Sequence, residues 1–290
     1  MNSASTLLPI FQKNEVLFGH DGTPEIVAVE ITAQGAVQIS ARDGARIFSE
    51  PMPFHPFILL AGDEALAGWP GDAQIEILAG ESPFNRLAQF RNLRELDEAR
   101  WFLQKTTGKT PSSSDAPYWY FNDPLHQYLL RSGKTHFLEM TFGDLRRLQL
   151  TIQTYCADGF TYSNSARSSD RIVTIGLSDS TGWERIISGT ECDEAEMLRQ
   201  FVDEIRLRDP DVIEGHNLLR FDLEYLEARA RRHKMALNLG RDGSRLSGHA
   251  SRMQLADRTI AYRKYSVFGR HLIDTWIIAQ HYDIATRELA

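Results

Sequence analysis

The sequence predicts an α/β protein in which a smaller, mostly β module precedes a domain of alternating strands and helices. Two observations predict it. From about residue 145, apolar runs short enough for strands alternate with longer amphipathic stretches. Ahead of that point, EVLFGHDGTPEIVAVEITAQGAVQISA and PMPFHPFILLAG hold short apolar runs, punctuated by turn signals such as Gly-Thr-Pro and Gln-Gly. The expected division is residues 1–140 as a mixed domain with a β-rich first half, and 141–290 as the α/β domain.

Composition narrows the function classes. The chain has 290 residues, 42% of them hydrophobic and 24% charged, in the range of globular proteins. No apolar run approaches the roughly 20 residues of a bilayer span, so no membrane partner is expected. The N-terminal MNSASTLLPIFQKNE lacks a basic segment followed by an apolar core, which points to a cytoplasmic protein. Cys156 and Cys192 are the two cysteines, too few for a disulfide scaffold or a structural zinc site. The net charge of −7 argues against nonspecific coating of duplex DNA. From Leu219 onward, however, 13 Lys or Arg face 8 Asp or Glu, so this third of the chain is locally basic. That suits a phosphate-bearing partner, and equally suits solvated helix faces.

The elements follow in order. Residues 82–105 have near-helical spacing of Phe84, Leu87, Phe90, Leu93, Leu96, Trp101 and Phe102, and 105–117 (KTTGKTPSSSDAP) reads as a loop. HQYLLRSGK reads as a short helix closing at Gly133. In LRRLQLTIQTYC, 145–156, Leu148, Leu150 and Ile152 fall on one face of a strand, and Thr151, Gln153 and Tyr155 on the other. RIVTIGLSD and WERIISG read as a hairpin turning at Thr181-Gly182. Residues 193–208 form an amphipathic helix with Met197, Leu198, Phe201, Val202 and Ile205 on one face and Asp193 as its cap. DVIEGHN reads as a buried strand running into the helix RFDLEYLEARARRHK, with Phe221, Leu223 and Leu226 inward. HLIDTWIIAQ, 271–280, suits a strand or a helix.

GHNLLRFDLEYL, 215–226, carries the chemistry. A strand ends at Gly215-His216 and a helix opens, and ligands of open α/β sheets collect outside the carboxyl ends of strands. Asn217 offers a neutral donor and acceptor; Asp222 is a hard oxygen ligand suited to magnesium or manganese. On spacing alone, Asn217 serves equally as a helix cap and Asp222 as a complement to the helix dipole.

GDLRRLQLTIQTY, DVIEGHNLLRFDLEYL and GRHLIDTW, in that order, resemble the N-terminal and exonuclease portions of family B DNA polymerases, those of bacteria in particular. QYLLRSGKTHFLEMTF and PFHPFILL extend the likeness, more loosely, toward the N-terminus. The resemblance implies a ribonuclease H-like exonuclease domain, with a mixed sheet and flanking helices, over 141–290. It also implies DNA replication or repair as the setting, with a nucleotidyltransferase as the parent protein. In that family the first motif is Asp-x-Glu on a strand, and Thr151 and Gln153 stand at those positions. The second, Asn-x-x-x-Phe-Asp, is matched by Asn217, Phe221 and Asp222. The third, Tyr-x-x-x-Asp, normally lies beyond the GRHLIDTW-like segment, so the chain is expected to stop short of it, as a fragment of a longer protein. Asp274, in HLIDTW, lacks the Tyr-x-x-x-Asp context and is expected to be structural.

The resemblance thus implies a site for two divalent ions, Mg²⁺ or Mn²⁺, whose founding carboxylates are replaced. Asp222 is the remnant catalytic carboxylate and at most a weak metal ligand, and no tightly bound cofactor is expected. The expected function is a domain inactive in 3′→5′ hydrolysis that keeps a single-stranded DNA-binding or scaffolding role. Its partners would be single-stranded or primer-template DNA and a downstream polymerase domain. Asn217, Phe221, Tyr155, Arg263 and Lys264 are the candidate DNA contacts, with Tyr262 and Tyr265 beside them. One alternative is an active proofreading exonuclease whose rearranged metal site recruits Asp144 or Asp158. Another is an interaction module in which nucleic acid plays no part.

Overall fold

Turn-punctuated strands build the first of two units, Met1–Glu139 and Met140–Ala290, into which the chain divides in a computed structural model. The structure describes residues 14–32, 34–44, 46–255 and 258–288. In the first unit, β1 (Ile26–Ile31), β2 (Val37–Asp43) and β3 (Arg46–Met52) form an antiparallel meander. A second antiparallel sheet has β4 (Phe57–Leu60), β5 (Gln74–Ile77), β6 (Arg86–Gln89) and β7 (Tyr118–Trp119) in the order β5-β6-β4-β7. Helix α1 (Leu93–Thr107) seats Leu96, Ala99 and Leu103 against Ile58, Leu60, Phe90 and Tyr118. The shorter α2 (Pro124–Ser132) ends at Gly133, in the left-handed conformation expected of a helix-terminating glycine.

The helix expected over 82–105 is shorter than its apolar spacing suggests. Residues 86–89 are strand β6, paired with β4 on one side and β5 on the other. Leu87 and Phe90 fit either period, and two partner strands decide in favour of the sheet. The helix starts where Asn92 accepts a hydrogen bond from the Glu95 N–H at 3.0 Å, an N-cap the apolar spacing does not reveal.

In the second unit, β8 (Arg147–Thr154), β9 (Ile172–Asp179) and β10 (Glu184–Ser188) run antiparallel. Helix α3 (Glu194–Arg208) crosses over to β11 (Val212–Gly215), which lies parallel to β8. Next come α4 (Leu223–Arg232), the hairpin β12 (Ser247–Leu255) with β13 (Arg258–Ser266), and β14 (His271–Asp274), parallel to β11. Helix α5 (Thr275–Glu288) follows directly. Residues 271–280 are therefore a strand and then a helix. The sheet order β10-β9-β8-β11-β14 makes β8 central, and the sheet is mixed.

Alternation in β8 sends Leu148, Leu150 and Ile152 into a core shared with Ile175, Leu177, Phe201, Ile205, Ile213 and Leu226. Each such side chain contributes about 1.5–3 kcal/mol when fully buried. Asp193 caps α3 as expected, accepting from the Glu196 N–H at 2.8 Å. At its other end Asp209 adopts a left-handed conformation, and Arg241 and Arg270 both pair with its carboxylate. This cluster fastens the segment just before β11.

Candidate nucleic-acid and metal site

The site forms where β11 stops while β8 runs on. Gly215, the last residue of β11, lies so close to β8 that a Cβ there would meet the Leu150 carbonyl at 2.7 Å, and glycine alone fits. The chain then reverses through Asn217, whose φ of 64° is a left-handed value that asparagine tolerates better than most residues. Its side chain makes no capping hydrogen bond. The cap reading of Asn217 is thus replaced by a backbone reason for asparagine, and the amide stays half-buried. Leu218–Asp222 form a π-helical turn before α4, an irregularity often found at functional sites.

Asp274 holds this reversal. Its carboxylate accepts from the backbone N–H groups of Asn217 and Leu219, both at 3.0 Å, and of Trp276 at 2.9 Å. Three N–H donors account for a buried carboxylate and support a structural role for Asp274.

Asp222 is different. It is 4% exposed, and burial pushes its carboxyl up to about 7. The Ile152 backbone N–H hydrogen-bonds to it and pulls downward, while the neighbouring Asp274 pushes further up. The structure therefore brings Asp222 to β8 at Ile152, between Thr151 and Gln153. Both of those side chains are exposed, on the face opposite the core. Burial of this kind favours the protonated form of a carboxyl. The group thus touches β8 from the turn that leads into α4.

The rest of the polar face of β8 is occupied by its own hydrogen bonds. Ser178 Oγ donates to Gln149 Oε1 at 2.6 Å, and Gln149 Nε2 donates to Glu214 Oε1 at 2.7 Å. Arg147 pairs with the same oxygen at 3.0 Å. Glu214, the carboxylate on the adjoining strand, is thus neutralised. Asp144 accepts from the Thr141 N–H and hydroxyl, each at 2.7 Å, in a capping box, and Asp158 lies in an exposed turn. Among the described residues, no three His, Cys, Asp or Glu side chains come together as a metal ion would need. Threonine, glutamine and one carboxyl that favours its proton near neutral pH are a poor donor set for Mg²⁺ or Mn²⁺, which want charged oxygens.

The candidate DNA contacts separate. Tyr155 is 47% exposed just past the end of β8, and Phe221 packs its ring 5.3 Å from Tyr225. Phe221 is half-buried, so the inward placement expected of it holds only in part. It lines a cavity of about 340 Å³ with Tyr162, Asn164, Arg167, Arg220 and Tyr225. Lys264 is exposed on β13, whereas Arg263 is engaged with Glu227 and the Gly248 carbonyl. Tyr265 is buried, its hydroxyl donating to Glu227 at 3.0 Å, and Tyr262 packs against the core. The DNA-path role considered for those two tyrosines gives way to a packing one, because β13 is pinned to α4 rather than free.

Sequence reasoning passed over the loop between β8 and β9. Phe160 and Tyr162 are 56% and 81% exposed on it. It is nonetheless ordered around the fully buried Asp170, which accepts from the N–H groups of Ala157 and Asn164, from Arg167 and from the Ser169 hydroxyl. Hydrogen bonds, the one from Arg167 foremost, hold the Asp170 carboxyl well below the usual range. Arg229 of α4 donates to the Ser165 and Arg167 carbonyls while paired with buried Glu194. An aspartate among serines and glycines looks like ordinary loop composition, so the signal was weak.

A profile of the DNA polymerase family B exonuclease domain matches residues 144–283. Residues 144–283 are thus similar to the exonuclease domain of family B DNA polymerases. The chain is 36% identical over 89 residues to a DNA polymerase of Archaeoglobus fulgidus, covering 31% of this chain and 11% of that one. It is 28% identical over 145 residues to DNA polymerase 2 of Aeropyrum pernix, covering 50% of this chain and 16% of the relative. The family B DNA polymerase structure from the hyperthermophilic archaeon Pyrobaculum calidifontis superposes with a TM-score of 0.58 at 18% identity. It covers 91% of this chain and 37% of its own, a likeness of fold. The aligned segments span less than a fifth of either curated relative. The expected α/β architecture, a mixed sheet with flanking helices, is borne out. No described helix is long and apolar enough to cross a membrane.

Proposed function

We propose that this exonuclease domain holds single-stranded DNA without hydrolysing it, as part of a larger family B polymerase. One observation carries the reading: Asp222 reaches the Ile152 N–H of β8, and the residues flanking Ile152 are the neutral Thr151 and Gln153. Two-ion phosphodiester hydrolysis needs one cation to generate hydroxide and another to stabilise the departing 3′ oxygen. Neutral donors do not offset the cost of stripping water from such cations. Asp144 is committed to its capping box and Asp158 lies in an exposed turn away from Asp222's hydrogen-bond partner on β8, so neither favours the rearranged-site alternative.

DNA holding rests on groups that survive the loss of charge. Tyr155, Phe160, Tyr162 and Phe221 offer ring faces for bases. Arg167 stacks over Phe160 at 3.8 Å, leaving its other face available. Asn217 supplies an amide at the same end of the sheet, and Lys264 a phosphate contact; Arg263 is a weaker candidate given its engagement with Glu227. Stacking of this kind contributes about 1–3 kcal/mol per base and tolerates any sequence. The larger protein would then use the domain to guide a frayed 3′ strand, or as a scaffold for a polymerase domain.

The test is incubation of the purified protein with 3′-labelled single-stranded DNA and Mn²⁺, beside a binding titration at low and moderate salt. Salt-sensitive binding with no nucleotide release is expected. Release that Asp222→Ala abolishes would overturn the inactive reading, and absence of binding would favour a module without nucleic acid.

A further inference from the structure

Away from β8, a cavity of about 360 Å³ lies between α4 and the base of the β12–β13 hairpin. Its size falls within the range of small-molecule sites. The floor is apolar: Ala230, Leu237 and Leu246 are buried, and Met235 packs beside them. The rim is cationic, with Arg231, Arg245 and Arg263 against one acid, Glu227. That acid is already shared. It accepts from the Tyr265 hydroxyl at 3.0 Å and pairs with Arg231 and Arg263, each at 3.3 Å. Arg245 has no ion-pair partner among the described residues, whereas the Nε of Arg263 lies 3.3 Å from Glu227 Oε2. A Cβ at Gly248 would meet the Tyr265 ring at 2.5 Å, so glycine there lets this arrangement close.

An apolar floor under surplus guanidinium groups suits a ligand with two unlike parts, a flat ring system and an anionic group. Guanidinium donors match phosphate in geometry and pair with it strongly. We propose that this cavity is a binding site for a nucleoside phosphomonoester, either a free mononucleotide or the 5′-phosphorylated end of a strand. The site is separate from β8 and does not depend on whether the domain hydrolyses or holds single-stranded DNA.

Equilibrium dialysis of the full chain with labelled deoxyadenosine monophosphate tests it, with inorganic phosphate and a 5′-phosphorylated tetranucleotide as further arms. The tetranucleotide is measured in a Phe160→Ala, Tyr162→Ala variant, which removes stacking at the other surface. Saturable mononucleotide binding is expected, weakened at least about tenfold by Arg231→Ala with Arg245→Ala. Both arginines are exposed, so the thermal midpoint of that variant should be unchanged. Inorganic phosphate should compete about tenfold less well, because it leaves the apolar floor uncovered. Tetranucleotide binding sensitive to the same arginines assigns the source to strand ends; its absence beside mononucleotide binding assigns it to free nucleotide. No saturable binding in either arm, binding indifferent to the two arginines, or phosphate binding equal to that of the nucleotide would overturn the proposal.

Discussion

Asp222 is a buried carboxyl whose ionisation works against the folded state. Its carboxyl ionises near 3.8 when unfolded and at about 7 when folded. The folded state therefore binds the extra proton between those values. Stability contributed by the protonated form is complete below pH 3.8, falls as pH rises toward 7, and levels off above it. Asp222→Asn keeps an acceptor for the Ile152 N–H and removes the titration. It is expected to raise the thermal midpoint by several degrees at pH 8, on the order of 2–4 kcal/mol, and to change little at pH 4. Equal gains at both pH values would show that the carboxyl is not the source. Thr151→Asp with Gln153→Glu is expected to make Mn²⁺ raise the thermal midpoint, since binding to the folded state alone stabilises it. The starting protein should show no such rise. A double variant that responds to Mn²⁺ no better would mean that 151 and 153 do not face Asp222. The polar face of β8 and the Asn-x-x-x-Phe-Asp spacing were legible in the sequence. The depth of Asp222 was not, because burial depends on where a π-helical turn sets the side chain down.

At the level of elements, the loop between β8 and β9 behaves as a fixed platform, because Asp170 converts its composition into architecture. Replacing it with Asn keeps the shape and removes the charge that Arg167 faces. Breaking one side of a buried pair typically costs about 3–5 kcal/mol, with Arg167 part-exposed here and the loss accordingly toward the lower figure. Urea denaturation of Asp170→Asn should show this loss, and single-stranded DNA affinity should fall with it as Phe160 and Tyr162 lose their mounting. Unchanged affinity would detach the aromatic loop from DNA holding. α3 and β9–β10 could be read from periodicity because each buries one face against the core. Strand β6 could not, since its identity comes from β4 and β5 on either side. The hairpin β12–β13 likewise has a polar, aromatic sequence whose partners, Glu227 among them, lie on another element.

Across the whole molecule, each unit buries apolar clusters of its own: Leu148 through Ile277 in the second, and three smaller clusters in the first. Residues 140–290 expressed alone are therefore expected to retain their far-UV signal and to unfold in a single urea transition. A fragment lacking a cooperative transition would show that the second core depends on the first unit. Catalytic competence and foldability are written on opposite sides of β8. Leu148, Leu150 and Ile152 answer to packing, whereas Thr151, over Gly176, and Gln153 face outward. Substitution at outward positions 151 and 153 can therefore change what this face offers to solvent while the packing beneath it stays as it is.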